Sequence, residues 1–396
     1  MMLEKIYIKG NKLKALDNRH PWVYSGAVAK MPENIEDGDI VELVHGQDKL
    51  IGYGFYAPGN QIVCRVFEYT RKPIDPTTQE YWSEKIAKAY AMRKAHVLSE
   101  ETNCFRLIHG EGDFFPGLIA DVYNDLVSVQ ILIKGVDKIA PMIIKALQEI
   151  GFERIYNKSK EISKRLENVE TPKGWLTEKT GSPKVEVLEN GVKFMVDVET
   201  GQKTGFFLDQ RDARSLVAKY SKDARVLNTF SYSGGFSMYA LKAGAKLVHS
   251  VDASQPAIDL CNENAVINGF DNGEHEGYCA DVFEHLTKMQ PNDYDVVILD
   301  PPAFAKSAKA VTAAARGYKQ LNLKALRKIK PGGIIFTFSC SQKIDKDLFR
   351  KIVFQAAAEA HRNVRILHQT TQPNCHPINI FYPENEYLKG LVLFVE

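Results

Sequence analysis

The chain has 396 residues and a nearly balanced charge, with 51 lysines and arginines against 49 aspartates and glutamates. Hydrophobic residues make up 44% of it, which is typical of a globular protein and excludes a disordered chain. A chain of this length is too long for one small core and predicts two or three domains.

Membrane-spanning, disulfide-linked and zinc-binding classes are also disfavoured. No apolar run reaches the roughly 18 to 20 residues that are needed to span a bilayer. The opening stretch, MMLEKIYIKG, lacks the apolar segment of a signal peptide, so we expect a cytoplasmic protein. The six cysteines form no CxxC pair, so we predict free thiols, no disulfide framework and no metal site.

Residues 1–70 predict a small β-barrel or half-barrel. Short β-forming segments such as DIVELVHG and QIVCRVFEY alternate with turns that contain glycine. The segment RKPIDPTT follows and reads as a linker, because it carries two prolines in eight residues. We therefore expect the first domain to end at this point.

Residues 76–185 predict a middle α+β domain. SEKIAKAYAMRKAHVL has apolar residues at helical spacing, and APMIIKALQEIG predicts a second helix. Between them, GLIADVYNDLVSVQILI predicts a pair of strands that turns at Asn124-Asp125. KVEVLENGVKFMVDV then predicts a hairpin with Asn190-Gly191 at its turn, at the start of a third domain that covers residues 186–396.

The sequence of the third domain predicts alternating strands and helices. The predicted strands are ARVLNTF, KLVHSVD, EGYCAD, YDVVILD and GGIIFTFS. Such alternation predicts an open, mostly parallel α/β sheet with helices on both faces, and ligands bind such sheets at the carboxyl ends of the strands. The last segment, KGLVLFVE, predicts an additional antiparallel strand at the edge of this sheet.

Three polar positions follow the first three predicted strands. The turn Ser233-Gly234-Gly235 would bring backbone N–H groups close to a ligand before the next helix. Asp252 ends the second strand, where a carboxylate accepts both hydroxyls of a ribose, as in proteins that bind NAD. Asp281-Val282 follows the third strand and suits an adenine, although Asp281 also suits a helix N-cap.

The segment LDPPAF is the most informative of the motifs. Asp300 ends a buried strand, and the two prolines after it make the following turn rigid. Such a turn presents the carboxylate of Asp300 and nearby carbonyl groups to a planar, amide-like edge of a substrate. An aspartate that only stabilises the turn is the alternative interpretation.

The succession GQKTGFFLDQR, LNTFSYSGGFSMYAL, VDAS, LDPPAF and FSCS resembles the class I S-adenosylmethionine-dependent methyltransferases. More narrowly, the chain resembles the bacterial PUA-domain methyltransferases that form 5-methylcytosine in large-subunit ribosomal RNA. RHPWVYSGAV matches the opening of the PUA domain, and FRLIHGEGDFFPGLIADVY matches the middle module. The resemblance covers essentially the whole chain and implies a Rossmann-like catalytic domain at its C-terminal end.

This resemblance also implies S-adenosylmethionine as the cofactor, ribosomal RNA as the substrate and a homodimer as the assembly. Asp252 would bind the ribose and Asp281 the adenine, while the segment 202–204 would close over the cofactor. The implied cofactor contacts are Gln202, Lys203, Thr204, Phe230, Ser231, Gly234, Asp252, Ala253, Asp281, Val282 and Asp300.

Cytosine chemistry gives a role to Cys340, which ends the strand IIFTFSC. Carbon C5 of cytosine is a poor nucleophile, and it becomes enamine-like when a thiolate adds to C6. A small thiol that fills the core is the alternative interpretation for Cys340 and the favoured one for Cys261 and Cys279. The loop DPPAF carries no second cysteine, so the base that removes the C5 proton is left unassigned, and Asp300 is assigned to the N3/N4 edge of the ring.

A basic segment lies beside these motifs. Between Pro301 and Ile344 there is no acidic residue, whereas the segment contains nine lysines and arginines. Such a run is typical of a solvated face, but its place next to the motifs favours contact with RNA phosphates. The predicted RNA contacts are Lys306, Arg316 and Tyr318, with Tyr318 stacking on a base, and Arg19 in the first domain.

Three other functions compete with this one. A methyltransferase of the same fold that acts on a guanine nitrogen would need no covalent cysteine. A non-catalytic RNA-binding or assembly protein would have kept the fold but not the cofactor. A nicotinamide-dependent dehydrogenase is disfavoured because the G-x-G-x-x-G fingerprint is absent.

Overall fold

A computed structural model describes residues 3–59, 61–159, 170–305 and 307–396 of the chain. The chain divides into two compact units. The first unit comprises Met1–Val185, Val196–Phe206 and Asn374–Asn385. The second unit comprises Glu186–Met195, Phe207–Pro373 and Glu386–Glu396.

The first unit opens with a six-stranded sheet and a short helix α1, Leu13–Asp17. Its strands are β1 Glu4–Ile8, β2 Trp22–Tyr24, β3 Val28–Lys30, β4 Ile40–His45, β5 Lys49–Tyr56 and β6 Ile62–Tyr69. They lie in the order β2-β6-β5-β4-β1-β3, with β1 and β4 parallel. Alternate residues of these strands, such as Ile6, Val41 and Leu43, form one hydrophobic core.

A second sheet of five strands follows in the same unit, in the order β11-β10-β9-β8-β7. Its elements are α2 Gln79–His96, β7 Cys104–His109, β8 Leu118–Tyr123, β9 Leu126–Ile131, α3 Lys134–Lys138, α4 Ala140–Glu149, β10 Arg154–Asn157 and β11 Gly174–Trp175. The predicted strand pair is confirmed, since β8 and β9 turn at Asn124, whose φ is +61°. Helix α2 begins earlier than the helical pattern predicts, because the hydroxyl of Thr78 accepts a hydrogen bond from the N–H of Tyr81 and caps the helix.

The predicted hairpin is also confirmed and consists of β12 Lys184–Glu189 and β13 Val192–Asp197. The remaining elements belong to the second unit. Its helices are α5 Arg211–Lys219, α6 Gly235–Lys242, α7 Gln255–Ile267, α8 Val282–Lys288, α9 Val311–Lys328 and α10 Lys346–Ala360. Its strands are β14 Arg225–Thr229, β15 Leu247–Asp252, β16 His275–Cys279, β17 Val296–Leu299, β18 Gly333–Ser339, β19 Val364–Thr370 and β20 Lys389–Val395.

These strands form one seven-stranded sheet in the order β16-β15-β14-β17-β18-β20-β19. The first five are parallel, and β20 runs antiparallel to both of its neighbours. Strands β17 and β18 are buried along their whole length, as expected for parallel strands that are covered on both faces. The open α/β sheet predicted from the sequence is therefore confirmed.

The prediction that KGLVLFVE lies at the sheet edge is wrong, although its antiparallel direction is confirmed. Strand β19 lies outside β20 and forms the edge. The sequence of β19, VRILHQT, gives little hydrophobic pattern, because most of its side chains are at least partly exposed. Strand β20 is almost entirely buried, and its continuous apolar run is typical of a strand that is covered on both faces.

A buried ion pair supports the second unit and gives a first prediction. Arg214 donates to both carboxylate oxygens of Glu189 at 2.7 Å, and the hydroxyl of Tyr239 donates to the same carboxylate at 3.0 Å. Glu189→Ala leaves the buried guanidinium without its partner, so we expect the free energy of unfolding to fall by about 3–5 kcal/mol in urea denaturation.

The matched control lies on the same hairpin. Lys193 and Glu186 are about half-exposed and lie 3.6 Å apart, so Lys193→Ala should cost less than about 1 kcal/mol. Equal losses in the two variants would contradict a structural role for the buried pair.

Candidate active site

The carboxyl ends of the five parallel strands bring the predicted site residues to one edge of the sheet. The pairing of Thr229 with both Val251 and Leu299, and of Leu299 with Thr337, aligns these ends. Neighbouring strands lie about 4.8 Å apart, so the ends of β14 and β18 are about 10 Å apart. The residues that end or follow these strands are Phe230 and Ser231, Asp252, Asp281, Asp300, and Cys340.

The turn after β14 has the features of a ligand cradle. Phe230, Tyr232 and Gly234 all have positive φ angles, of 54°, 45° and 76°. The N–H of Ser231 donates to the carbonyl of Val251 at 3.1 Å, which ties the turn to the next strand. Within the described residues, the buried hydroxyls of Ser231 and Ser233 have no hydrogen-bond partner. Buried polar atoms of this kind are normally satisfied, so the turn fits a polar ligand.

Gly234 cannot be replaced without a change in this turn. A Cβ atom at this position would lie 2.4 Å from the sulfur of Cys261, and the φ of +76° is unfavourable for any other residue. The fully buried Cys261 therefore packs against the turn. Burial raises the pKa of its thiol to about 12, which agrees with the core-filling role predicted for it.

The carboxylate of Asp252 holds the same turn from the second strand. It accepts hydrogen bonds from the N–H of Tyr232 at 2.9 Å and the N–H of Ser254 at 3.0 Å. Each of its oxygens keeps acceptor capacity, so the half-buried group suits the two hydroxyls of a ribose. The neighbouring Ala253 is exposed.

Asp281 and Val282 fit the predicted adenine site less closely. One oxygen of Asp281 accepts the N–H of Glu284 at 2.9 Å, so the residue is the N-cap of α8. Val282 is 2% exposed and belongs to the hydrophobic core with Val251 and Leu286. Its side chain packs in this core, and its contact with an adenine stays a prediction.

The loops that follow β17 and β18 are joined through Ser341. Its hydroxyl accepts the N–H of Ala305 at 3.2 Å and lies 3.0 Å from the hydroxyl oxygen of Tyr318. Its carbonyl accepts a hydrogen bond from the ammonium group of Lys389 at 2.8 Å. These contacts hold the loop that carries Asp300 against the residue that follows Cys340.

Cys340 differs from the other cysteines in its exposure. It is half-buried, whereas Cys279 is exposed and the other four are buried. Asp300, at the end of the neighbouring strand, is half-buried as well. The prediction that Cys279 fills the core is wrong, because it ends β16 at the surface, where its sulfur contacts the carbonyl of Ala253 at 3.5 Å.

The ring of Tyr318 is enclosed by the protein, which leaves no exposed face for the predicted stacking on a base. Its side chain is 0% exposed, and its ring lies 4.7 Å from that of Phe304 between centroids. Helical spacing places this residue on the inner face of α9 and Arg316 on the exposed face. Lys306, the third predicted contact in this segment, lies outside the described residues.

Most of the basic segment is engaged within the second unit. Lys319 and Arg327 pair with Glu359, and Lys330 pairs with Asp295. Lys324 and Lys328 donate hydrogen bonds to Thr287. Three of the nine cations are therefore paired with acids outside the segment, while Lys309, Arg316 and Lys343 are exposed.

The remaining predicted residues belong to the first unit. Arg19 is exposed, and its guanidinium lies 5.8 Å from the ring centre of Phe381. Gln202 is exposed and Lys203 half-buried, but Thr204 is 0% exposed. The hydroxyl of Thr204 donates to Asp121 at 2.5 Å and lies 2.9 Å from the hydroxyl of Tyr123. Its side chain is therefore part of an internal hydrogen-bond network, and its contact with the cofactor stays a prediction.

The sheet order, the glycine turn after β14, the acidic end of β15 and the Asp-Pro-Pro turn after β17 define a Rossmann-like domain with a nucleotide-type cofactor site at the carboxyl ends of its strands. The sequence pattern of the S-adenosylmethionine-dependent methyltransferases matches residues 105–380, and that of the PUA-like domain matches residues 6–69. The chain therefore belongs to the S-adenosylmethionine-dependent methyltransferase family and carries an N-terminal PUA-like domain.

Relatives of the chain share its whole length. The ribosomal RNA large subunit methyltransferase I of Alteromonas mediterranea is 39% identical over 99% of this chain and 98% of its own. The protein of the same name from Aliivibrio fischeri is 39% identical over 98% of each chain. A solved methyltransferase complexed with SAH shares the fold, with 24% identity, a TM-score of 0.83 and coverage of 99% of this chain and 100% of its own.

None of the helices in the described residues combines the length and the apolarity that crossing a membrane requires.

The glycine turn gives a second prediction. Gly234→Ala places a Cβ atom against Cys261 and strains a positive φ, so the turn must shift. We expect the affinity for S-adenosylhomocysteine, measured by calorimetry, to fall at least about tenfold, which is a loss of about 1.4 kcal/mol.

Gly244→Ala is the matched control, because Gly244 also has a positive φ, of 88°, but has open space around it. It should destabilise the protein by about 1 kcal/mol and leave the affinity unchanged. An unchanged affinity in Gly234→Ala would contradict the role of this turn in cofactor binding.

Proposed function

We propose that the protein methylates carbon C5 of a cytosine in large-subunit ribosomal RNA through a covalent bond between Cys340 and C6. The observation that carries this proposal is the half-buried Cys340 at the end of β18, next to the strand end that carries Asp300. The names of the full-length relatives support ribosomal RNA as the substrate.

The described residues of the second unit fit S-adenosylmethionine. The unpartnered hydroxyls of Ser231 and Ser233 and the Gly234 turn suit the methionine part of the cofactor, and Asp252 suits its ribose. When bound, this cofactor supplies an electrophilic methyl group. Phe230 and Asp281 stay as predicted contacts, and so do Gln202 and Lys203.

The cysteine supplies the nucleophile that the reaction needs. The Cys340 thiolate would form a bond to C6, and the electrons of the C5–C6 double bond would move into the ring and make C5 nucleophilic. C5 could then bond to the methyl carbon that the cofactor would supply, as the bond between that carbon and the cofactor sulfur breaks with its electron pair left on sulfur. Loss of the proton from C5 then restores the double bond, and the C6–sulfur bond breaks with its electron pair returning to Cys340. The carboxylate of Asp300 would hold the N3/N4 edge and favour a protonated ring, which is attacked more readily at C6.

The target base must leave its stack to reach this site. Exposed cations at Lys309, Arg316 and Lys343 of the second unit are suited to the flanking phosphates. Lys306 remains a predicted contact in the same segment. In the first unit, Arg19 is a further exposed contact that we assign to RNA.

We further propose three functional domains, at residues 1–70, 76–185 and 186–396. The first of them corresponds to the sheet β1–β6, and the last contains the complete seven-stranded sheet. A cytoplasmic location accords with a ribosomal substrate, and a homodimer is proposed on the resemblance of the sequence to its family.

A third prediction tests the reaction and its nucleophile together. Ribosomal RNA treated with enzyme and cofactor is digested, and its nucleosides are measured by mass spectrometry. We expect 5-methylcytidine from the wild-type enzyme, and a fall in the rate of at least about 1,000-fold in Cys340→Ala, because removal of a nucleophile abolishes the covalent route.

Cys279→Ala is the matched control, since it removes the exposed cysteine at the end of β16 and should keep full activity. Methylguanosine as the product, or full activity in Cys340→Ala, would favour transfer to nitrogen. Failure of the wild-type protein to bind S-adenosylmethionine would favour a non-catalytic assembly protein.

A further inference from the structure

Lys389 is a buried lysine beside the proposed nucleophile, and no motif of the sequence pointed to it. It is the first residue of β20 and is 5% exposed. It pairs across the sheet with Ser339, the residue immediately before Cys340. Its ammonium group donates to the carbonyl of Ser341, immediately after Cys340, at 2.8 Å and to the carbonyl of Tyr387 at 2.7 Å.

Burial of this charge needs compensation, because a buried ammonium group is costly unless it is paired. Two carbonyls satisfy two of its three N–H donors but carry no formal charge. Within the described residues the third donor has no hydrogen-bond acceptor. A negative charge near Lys389 would therefore be strongly stabilised.

The charged groups around Lys389 are few. Asp345, Glu386 and Lys346 act on it electrostatically, as does Cys340. The carboxylate of Glu386 pairs with Lys346, and that of Asp345 caps α10 by accepting the N–H of Leu348 at 2.7 Å. Both carboxylates therefore already interact with other groups. Cys340 is the group near Lys389 that belongs to the proposed site.

Tyr318 is a further titratable group close to Cys340. Its hydroxyl lies against Ser341, and burial raises its pKa, so it stays neutral at physiological pH. It therefore adds no negative charge that would oppose a thiolate at Cys340.

The protonation of Lys389 is set by two opposing effects. Burial is the larger effect, so the pKa of Lys389 is lowered to about 8 although a negative charge on Cys340 acts to raise it. Lys389 is therefore mainly a cation at pH 7. It also lines a cavity of about 110 Å³, which has room for water near the charge.

We propose that Lys389 acts through Cys340, as the positioning residue whose buried ammonium group holds the cysteine in its thiolate form. This inference rests on the proposed function, in which Cys340 is the nucleophile. The S–H bond of Cys340 breaks, its proton passes to water, and the electron pair stays on sulfur beside the cation. The same charge stabilises the sulfur again when the C6–sulfur bond breaks at the end of the reaction.

The test measures the rate at which iodoacetamide alkylates Cys340 between pH 5 and 10, followed by mass spectrometry of the peptide. Cys279→Ala is the parent protein, so that the exposed cysteine does not compete. We expect the parent to react with a midpoint below the usual cysteine pKa of about 8.5. A midpoint at or above about 8.5 in the parent would overturn the proposal without any further variant.

Two variants separate charge from structure. Lys389→Met removes the charge and should raise the midpoint by at least about one pH unit, which lowers the alkylation rate at pH 7 about tenfold. Lys389→Arg keeps the charge and should react within about threefold of the parent, because arginine stays protonated throughout this range. Circular dichroism and S-adenosylhomocysteine binding report whether each variant is folded.

A folded Lys389→Met variant with an unchanged midpoint would overturn the proposal and leave Lys389 a structural residue. This measurement uses no RNA, so it is independent of the nucleoside assay. An active Cys340→Ala enzyme contradicts the proposed function, whereas an unshifted alkylation midpoint contradicts only the role of Lys389.

Discussion

Five neighbouring strands of the second unit run parallel, and their pairing aligns the points at which they end. Residues that are separated by more than a hundred positions in the chain, such as Ser231 and Cys340, thereby come to one edge of the sheet. Because both faces of the sheet are covered by helices, this edge is where the backbone opens to a ligand. The turn proposed to bind the cofactor, the acidic ends of β15 and β17 and the proposed nucleophile Cys340 all depend on this alignment.

Ser341 fixes the region around Cys340 further, because its hydrogen bonds link three elements of the second unit. Its hydroxyl accepts a hydrogen bond from a backbone N–H in the loop after Asp300 and contacts the hydroxyl of Tyr318 in α9. Its carbonyl accepts a hydrogen bond from the ammonium group of Lys389 in β20. Because Ser341 is buried and hydrogen-bonded through both its hydroxyl and its carbonyl, it restricts the backbone at the neighbouring Cys340. Precise placement of this kind is what covalent catalysis requires, since small displacements of a nucleophile cost much of the rate.

The sequence was sufficient to predict the parallel sheet and the positions of Asp300 and Cys340, because strand ends and motif order are local features. It was not sufficient for features that arise from distant parts of the chain. Lys389 donates to a carbonyl 48 residues away, and in the sequence it only precedes an apolar run. The sequence likewise predicts that the cations of the basic segment are solvent-exposed, because the acids that pair with some of them, such as Glu359, lie outside the segment. The interpretation of Tyr318 as an exposed residue rests on its local context alone, whereas helical spacing over the whole of α9 places it on the inner face.

In the proposed reaction the sulfur of Cys340 becomes bonded to the cytosine ring. Ribosomal RNA that contains 5-fluorocytidine would trap this bond, because fluorine at C5 cannot leave as a proton and the covalent complex accumulates. With S-adenosylmethionine present, we expect a protein–RNA adduct that resists denaturation, with the modified peptide mapped to Cys340, and no adduct from Cys340→Ala. Methylation of ordinary RNA without any adduct on the fluorinated RNA would contradict a covalent bond between Cys340 and cytosine. An adduct mapped to another cysteine would contradict it as well.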